Sequence, residues 1–232
     1  VITISVSASE NIQTPTVTIA GNAAAIATGS NGERVYTATY TMQSSDNTGV
    51  IPFTVDFSDM ANNAGTQVTA VANDSDGGVT FDKQAPSFTT VTMSSNNSTS
   101  TLAIVNDVIT INLTSDEAIK AGSDPTITVN GNTATVTRNS TTSFTATYTM
   151  SSPADDAVDG SSIPINISAY TDATGNIGTT VTATTDGSAV TYDKTLPTLG
   201  TVTIASDNTY DHLATTGDVI TLTIVSSENI NT

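Results

Sequence analysis

Cysteine and tryptophan are both absent from this chain of 232 residues. Without cysteine there is no disulfide framework and no thiol chemistry. Histidine occurs once, as His212, and one repeat earlier its place is taken by Thr101. A His-dependent nucleophile is therefore not part of any recurring design, and His212 reads as a loop residue. Basic residues are scarce: five Lys and Arg stand against 22 Asp and Glu, a formal charge of −17. Nucleic-acid binding needs clustered Lys and Arg, so nucleic acid is excluded as a partner. Attachment to anionic lipid by charge is disfavoured on the same ground. No run of 18 apolar residues occurs, so no direct membrane insertion is expected in this segment. No phosphate-binding glycine loop is found. No initiator Met or secretory leader heads the chain. It opens inside a strand at Val1, which reads as an excerpt from a longer protein.

What is present is repetition. Val1-Ile2-Thr3-Ile4 returns as Val108-Ile109-Thr110-Ile111 and again as Val219-Ile220-Thr221-Leu222. A glutamate follows nine positions after each Val: Glu10, Glu117 and Glu228. The spacings are 107 residues (108 less 1) and 111 residues (219 less 108). That period is the size of one small domain rather than one solenoid repeat. Asp82-Lys83-Gln84-Ala85-Pro86 returns as Asp193-Lys194-Thr195-Leu196-Pro197. Proline is poor inside a sheet and good at its entrance, so this motif marks the seams. The expected division is a domain without its first strand (1–82), a complete domain (83–193) and the start of a third (194–232).

Within each copy the apolar pattern has a period of two. Ile109, Ile111 and Leu113 share one face and Thr110 and Asn112 the other. Thr37 to Met42 and Thr145 to Met150 are the same six residues. Alternation of this kind predicts half-buried antiparallel strands, and β-branched residues suit them. The expected strands of the middle copy lie near 87–93, 108–114, 125–129, 133–138, 143–149, 162–169 and 179–192. Ala20-Gly21-Asn22 and Asn130-Gly131-Asn132 are tight hairpin signals. Asn62 and Gly175 exchange at one position of a shared loop motif, and both tolerate positive φ. The fold class expected is all-β. Seven short strands in about 100 residues point to tandem immunoglobulin-like β-sandwich domains.

Charged residues form only 12% of the chain, so Thr, Ser, Asn and Gly supply the polar surface. Such surfaces are common on exported proteins, and the expected location is extracellular, at the cell surface. Acidic residues gather at the seams. In a sandwich of this kind the loops after the second and sixth strands share a pole. Those loops carry Asp116 and Glu117, and Asp172 and Asn176. A linker entering the same pole brings Asp82. The next seam offers Asp193 and Glu228, and the seam before the chain start Glu10, Asp59 and Asn63. Ca²⁺ takes six to eight oxygen ligands, so Ca²⁺ or another divalent cation is the expected cofactor, with no organic one. The competing reading is local: Asp59 and Asp172 form Asx-turns and Asp82 and Asp193 cap the entering chain. Paired acids such as Asp155-Asp156 and Asp116-Glu117 show no sign of a hydrolytic pair, and no enzyme activity is expected. Six Asn-x-Ser/Thr sequons stand at Asn73, Asn96, Asn97, Asn112, Asn139 and Asn166. They are candidate glycosylation sites, and Asn112 and Asn166 fall on strand faces assigned to solvent.

These strings, from Val-Ile-Thr-Ile…Ser-Glu through Pro15-Thr-Val-Thr-Ile-Ala-Gly-Asn22 and Thr-Ala-Thr-Tyr-Thr-Met to Val-Thr-Phe-Asp-Lys-x-x-Pro, resemble the large Ig-like repeats of prokaryotic surface proteins. The resemblance covers nearly the whole chain. No Cys, few Lys, many sequons and Thr-rich strands look most like the surface-layer glycoproteins of marine ammonia-oxidising archaea. The resemblance implies self-assembly with copies of itself into a porous S-layer lattice that binds sugars and cations, including ammonium near the membrane. In seawater-like salt the screening length is roughly 4 Å, so cation enrichment is confined to narrow pores. The alternative readings are an extender stalk of a large surface adhesin and an Ig-like module attached to a secreted enzyme.

Overall fold

The computed structural model describes residues 1–29, 32–72 and 78–230. The chain is all-β, and among the described residues its sheets are antiparallel apart from one two-residue parallel pair. It divides into two compact units. One comprises 1–85 with 174–176, the other 86–173 with 177–232.

The second unit holds a four-stranded sheet in the order Thr135–Arg138, Ser143–Thr149, Val108–Ser115, Phe88–Ser95. Ile109, Ile111 and Leu113 are buried while Asn112 and Thr114 are exposed, so the alternation sets which face turns inward. A three-stranded sheet runs Asn132–Thr133, Thr126–Val129, Ile165–Ser168. Its Ile127, Val129, Ile165 and Ile167 are buried with the first sheet's apolar residues in a single core, every member of which lies between Phe88 and Tyr192. Aromatic contacts tie the core together. Phe88 packs on Tyr170 at 4.7 Å between ring centroids and edge-on to Phe144 at 6.4 Å.

The first unit repeats these pairings in its own residues. Ile2–Ser7, Val35–Tyr40 and Ala25–Thr28 stand in the places of Val108–Ser115, Ser143–Thr149 and Thr135–Arg138. Thr16–Ile19 pairs Phe53–Asp56 as Thr126–Val129 pairs Ile165–Ser168. Both hairpin turns use two consecutive left-handed residues: Ala20 and Gly21 at φ 54° and 78°, Asn130 and Gly131 at 49° and 78°. That is the primed turn whose twist suits flanking strands. Asn62 and Gly175 both have positive φ, as their exchange predicts.

The glycine that closes this loop has a packing reason. A Cβ on Gly178 would lie 1.9 Å from a Tyr170 ring carbon, and one on Gly65 2.3 Å from Phe57. In both copies an aromatic ring packs directly against the glycine.

The strand expected over 179–192 forms only in part. Thr191–Tyr192 is a strand, and Val181 makes a single bridge with Ile167. Between them, Ser188 N–H donates to Asp186 Oδ1 at 2.9 Å, and Gly187 has a φ of 74°. This side-chain turn replaces a backbone ladder. The segment still meets strand Phe88–Ser95, chiefly through hydroxyls: Val91 N–H donates to Thr185 Oγ1 and Met93 N–H to Ser188 Oγ. Thr191–Tyr192 also pairs in parallel with Leu102–Ala103, a short contact that alternation alone does not signal. Residues Leu199–Ser206 and Ile220–Ser226 make a two-stranded sheet. No helix among the described residues is long and apolar enough to cross a membrane.

Candidate cation site

In the second unit two of the expected ligands come together. Glu117 and Asp172 carry carboxylate oxygens within 4.8 Å of each other. Asp172 is 2% exposed and makes an isolated bridge with Ile119, which fixes its backbone beside the loop that bears Glu117. The Ser115 hydroxyl donates to the Glu117 carbonyl at 2.5 Å, holding that loop in a tight turn. Two carboxylates this close repel unless a proton or cation sits with them. Every donor is an oxygen, which suits a hard cation such as Ca²⁺ or Mg²⁺ rather than zinc.

Asp116 is turned elsewhere. It accepts from Ser87 N–H and Ser87 Oγ, each at 2.8 Å. The Ser87 N–H holds its carboxyl below the ordinary aspartate value. Asp193 accepts from Thr195 N–H at 3.0 Å, the capping geometry weighed for it. Glu228 keeps the turn of its earlier counterpart, with the Ser226 hydroxyl donating to its carbonyl. Its Oε1 is buried without a hydrogen-bond partner among the described residues.

In the first unit Asp59 is consumed by its own loop. Its Oδ1 accepts from Ala61 N–H and Asn63 N–H at 2.8 Å, and Oδ2 from Asn63 Nδ2 at 2.7 Å. The Asn63 amide, first, keeps its carboxyl below the ordinary value. Glu10 is exposed. Asp82 accepts from Gln84 N–H at 2.9 Å, and its carbonyl accepts from Asn176 Nδ2 at 3.4 Å.

Sequence reasoning missed the most buried carboxylate. Asp155 is fully buried. It accepts from Ser151 N–H at 2.6 Å, Tyr148 Oη at 3.1 Å, Asn130 Nδ2 at 3.3 Å and Asn132 Nδ2 at 3.4 Å. All four partners donate, as an acceptor-only carboxylate requires. The first unit repeats the arrangement: Asp46 accepts from Gln43 N–H at 2.7 Å, Tyr40 Oη at 3.2 Å and Asn22 Nδ2 at 3.2 Å. Burial, then the nearby aspartate, raises the phenol pKa of both Tyr40 and Tyr148. The signal was in the repeat, since Tyr40, Asn22 and Asp46 return as Tyr148, Asn132 and Asp155. These carboxylates are saturated by protein donors and serve structure.

Of the sequons, Asn112, Asn139 and Asn166 are exposed, each on or beside a strand, and Asn139 Nδ2 donates to Thr145 Oγ1 at 2.9 Å. Asn96 is exposed too, but its Oδ1 accepts from Val108 N–H at 2.7 Å. Asn97 Nδ2 donates to Asp107 Oδ2 at 2.7 Å, so the nitrogen a sugar would use is engaged. Asn73 lies outside the described residues. His212 is exposed, 3.5 Å from Asp211.

No protein-family model matches the chain, and no curated protein matches it. Among solved structures, a similar one is described as Bacteroides ovatus mixed-linkage glucan utilization locus SGBP-B in complex with mixed-linkage heptasaccharide. The identity is 14% and the TM-score 0.22, with 91% of this chain and 47% of that chain covered. This chain thus spans about half the length of that structure, and a TM-score so low carries no argument about fold or function.

Proposed function

We propose that the chain is a structural segment of a cell-surface protein. Tandem immunoglobulin-like β-sandwich modules build an extracellular, porous, acidic S-layer lattice by self-assembly. The observation that carries this reading is the copying of a whole framework. Strand pairings, the aromatic ring on glycine and the buried Asp-Tyr-Asn network recur in both copies. A chain built around one reaction concentrates its unusual polar groups at a single site. Here the buried polar groups are repeated and spent on architecture.

The acidic seams give the lattice its cation chemistry. Glu117 and Asp172 supply the paired carboxylates, and carbonyl oxygens and water can complete the shell of such a cation. A bound Ca²⁺ would offset their repulsion and stiffen the string of modules. Fixed negative charge enriches cations, ammonium among them, and excludes anions within narrow pores. Exposed Asn112 and Asn166 are the sequons best placed for sugars.

The test is electron imaging of the purified protein with and without Ca²⁺, beside a calcium titration. Two-dimensional sheets that dissolve in chelator, with Asp172→Asn weakening calcium binding about tenfold or more, support the reading. Isolated fibres instead of sheets favour the adhesin stalk. A melt unchanged by calcium or chelator refutes the seam cation.

A further inference from the structure

Backbone pairing ends just before each seam. In the second unit the last strand residue before the seam is Tyr192, and Asp193 N–H adds one bond to the Ala103 carbonyl at 2.9 Å. In the first unit the last strand residue before the seam is Phe81. Lys194 and Lys83 follow at the same place in the two copies (194 less 83 is 111). They are two of five basic residues in a chain of net charge −17, so a lysine that returns at the seam is a scarce charge in a fixed place.

Each lysine turns back to the loop that carries the buried aspartate of its own copy. Lys194 Nζ lies 2.6 Å from Asp156 Oδ1. The Lys194 backbone N–H donates to Asp159 Oδ1 at 2.9 Å, and the Thr195 hydroxyl to Asp159 Oδ2 at 3.4 Å. Asp156 opens and Asp159 follows the short turn Asp156–Val158, whose Val158 is buried in the core. Asp156 raises the Lys194 ammonium above its ordinary value, and Lys194 holds the Asp156 carboxyl below its own. In the first unit Lys83 Nζ donates to the Ser44 carbonyl at 3.0 Å and to the carbonyl of buried Asp46 at 2.8 Å. The acceptors are carboxylates in one copy and carbonyls in the other. What recurs is where the chain is held.

We propose that the seam lysine is a clasp that docks each outgoing linker on the module it leaves, Lys194 on Asp156 and Asp159, and Lys83 on Ser44 and Asp46. The residue after each lysine is bent by one and the same side-chain turn. Gln84 N–H donates to Asp82 Oδ1 at 2.9 Å, and Thr195 N–H to Asp193 Oδ1 at 3.0 Å. Pro86 and Pro197 come next but one. A proline fixes its own φ and restricts the residue before it. Little of the seam is therefore left to bend. The clasp acts locally. A half-exposed ion pair adds little to global stability, but a segment outside the core opens when its own few contacts break. The inference rests on contacts within single modules and needs neither a lattice nor a bound cation.

Trypsin reads the clasp directly. It cleaves after a lysine whose ammonium enters its acidic pocket, and a docked ammonium is withheld from that pocket. The chain offers five sites, after Arg34, Lys83, Lys120, Arg138 and Lys194, and fragment masses tell them apart. When opening is fast relative to cleavage, the rate follows the population of opened linker. The whole chain is digested under native conditions, with and without Asp156→Asn combined with Asp159→Ala. The variant should be cut after Lys194 about tenfold faster, as the loss of hydrogen bonds to charged groups implies. Cleavage after Lys83, in the other unit, should keep its rate, and so should cleavage after Lys120 and Arg138, in the same unit. Asp156→Asn alone preserves side-chain shape and removes only the charge, and should give a smaller rise confined to Lys194. The proposal is overturned if the rate after Lys194 does not change in either variant, or if it rises only in step with the rates after Lys120 and Arg138.

Discussion

Replacing Asp155 by Ala should cost more stability than its place in a polar loop implies. The carboxylate is fully buried and takes four donors. Ser151 N–H is the strongest of them at 2.6 Å, and a hydrogen bond to a charged group contributes about 1.5–3 kcal/mol. Tyr148 and the two asparagine amides are half-buried and recover part of their loss from water. The sum is about 3–4 kcal/mol, dominated by the backbone donor left behind. At roughly 4–8 °C per kcal/mol for a module of about 100 residues, the span of the core from Phe88 to Tyr192, the transition should fall by about 12 °C or more. Tyrosine emission suits the assay, because no tryptophan masks it and Tyr170 and Tyr192 are fully buried. The neighbour supplies the control. Asp156 pairs with Lys194 at 2.6 Å, both partly exposed, and solvent-screened pairs of this kind contribute little. If Asp155→Ala is no more damaging than Asp156→Ala, the buried network is not what secures this loop.

Gly178→Ala should destabilise the second unit by about 2–3 kcal/mol, because the methyl collides with the buried Tyr170 ring and overpacking costs that much. Gly175→Ala, which meets open space but sits at a φ of 101°, should cost about 1–2 kcal/mol from backbone strain alone; denaturant midpoints of the two variants decide the order. Asp59, Asp116, Asp156, Asp186 and Asp218 are held below the ordinary value, by Asn63, Ser87, Lys194, Ser188 and Asn208 respectively. Their contribution is complete above the unfolded pKa and is lost as pH falls through the folded values. In 1 M salt, where self-repulsion is screened to about 3 Å, stability should therefore be level near neutrality and fall below about pH 4. Burial raises the phenols of Tyr148, Tyr170 and Tyr192, which places the opposite loss above about pH 10.

Much of the fold is legible in the alternation of apolar and polar residues, because a half-buried strand admits one pattern. Ile109, Ile111 and Leu113 were assigned inward by period alone and are buried. The left-handed residues Gly21 and Asn62 were legible because few residues tolerate that conformation, whereas Ala20 was legible only through its match to Asn130. The segment around 182–190 was not legible. Its threonines favour strand, but Asp186 and Ser188 close a local turn and the hydroxyls bond sideways to Val91 and Met93. The candidate site was legible in composition and only partly in geometry. Glu117 and Asp172 meet, whereas Asp116, Asp59 and Asp193 satisfy nearby N–H groups. A carboxylate in a loop has both options, and spacing alone does not choose between them. Asp155 escaped notice because an aspartate pair in a polar loop looks solvated. Only its distance from Tyr148, seven positions back and matched by Tyr40 and Asp46, betrays the shared role.

The central claim is that one β module, closed on its own core, has been copied along the chain. Expression of residues 83–195 alone tests it most directly, since the whole core of the second unit lies between Phe88 and Tyr192. The account predicts a monomer with dispersed amide resonances and one cooperative melting transition. A fragment that stays disordered, or melts without cooperativity, would contradict it.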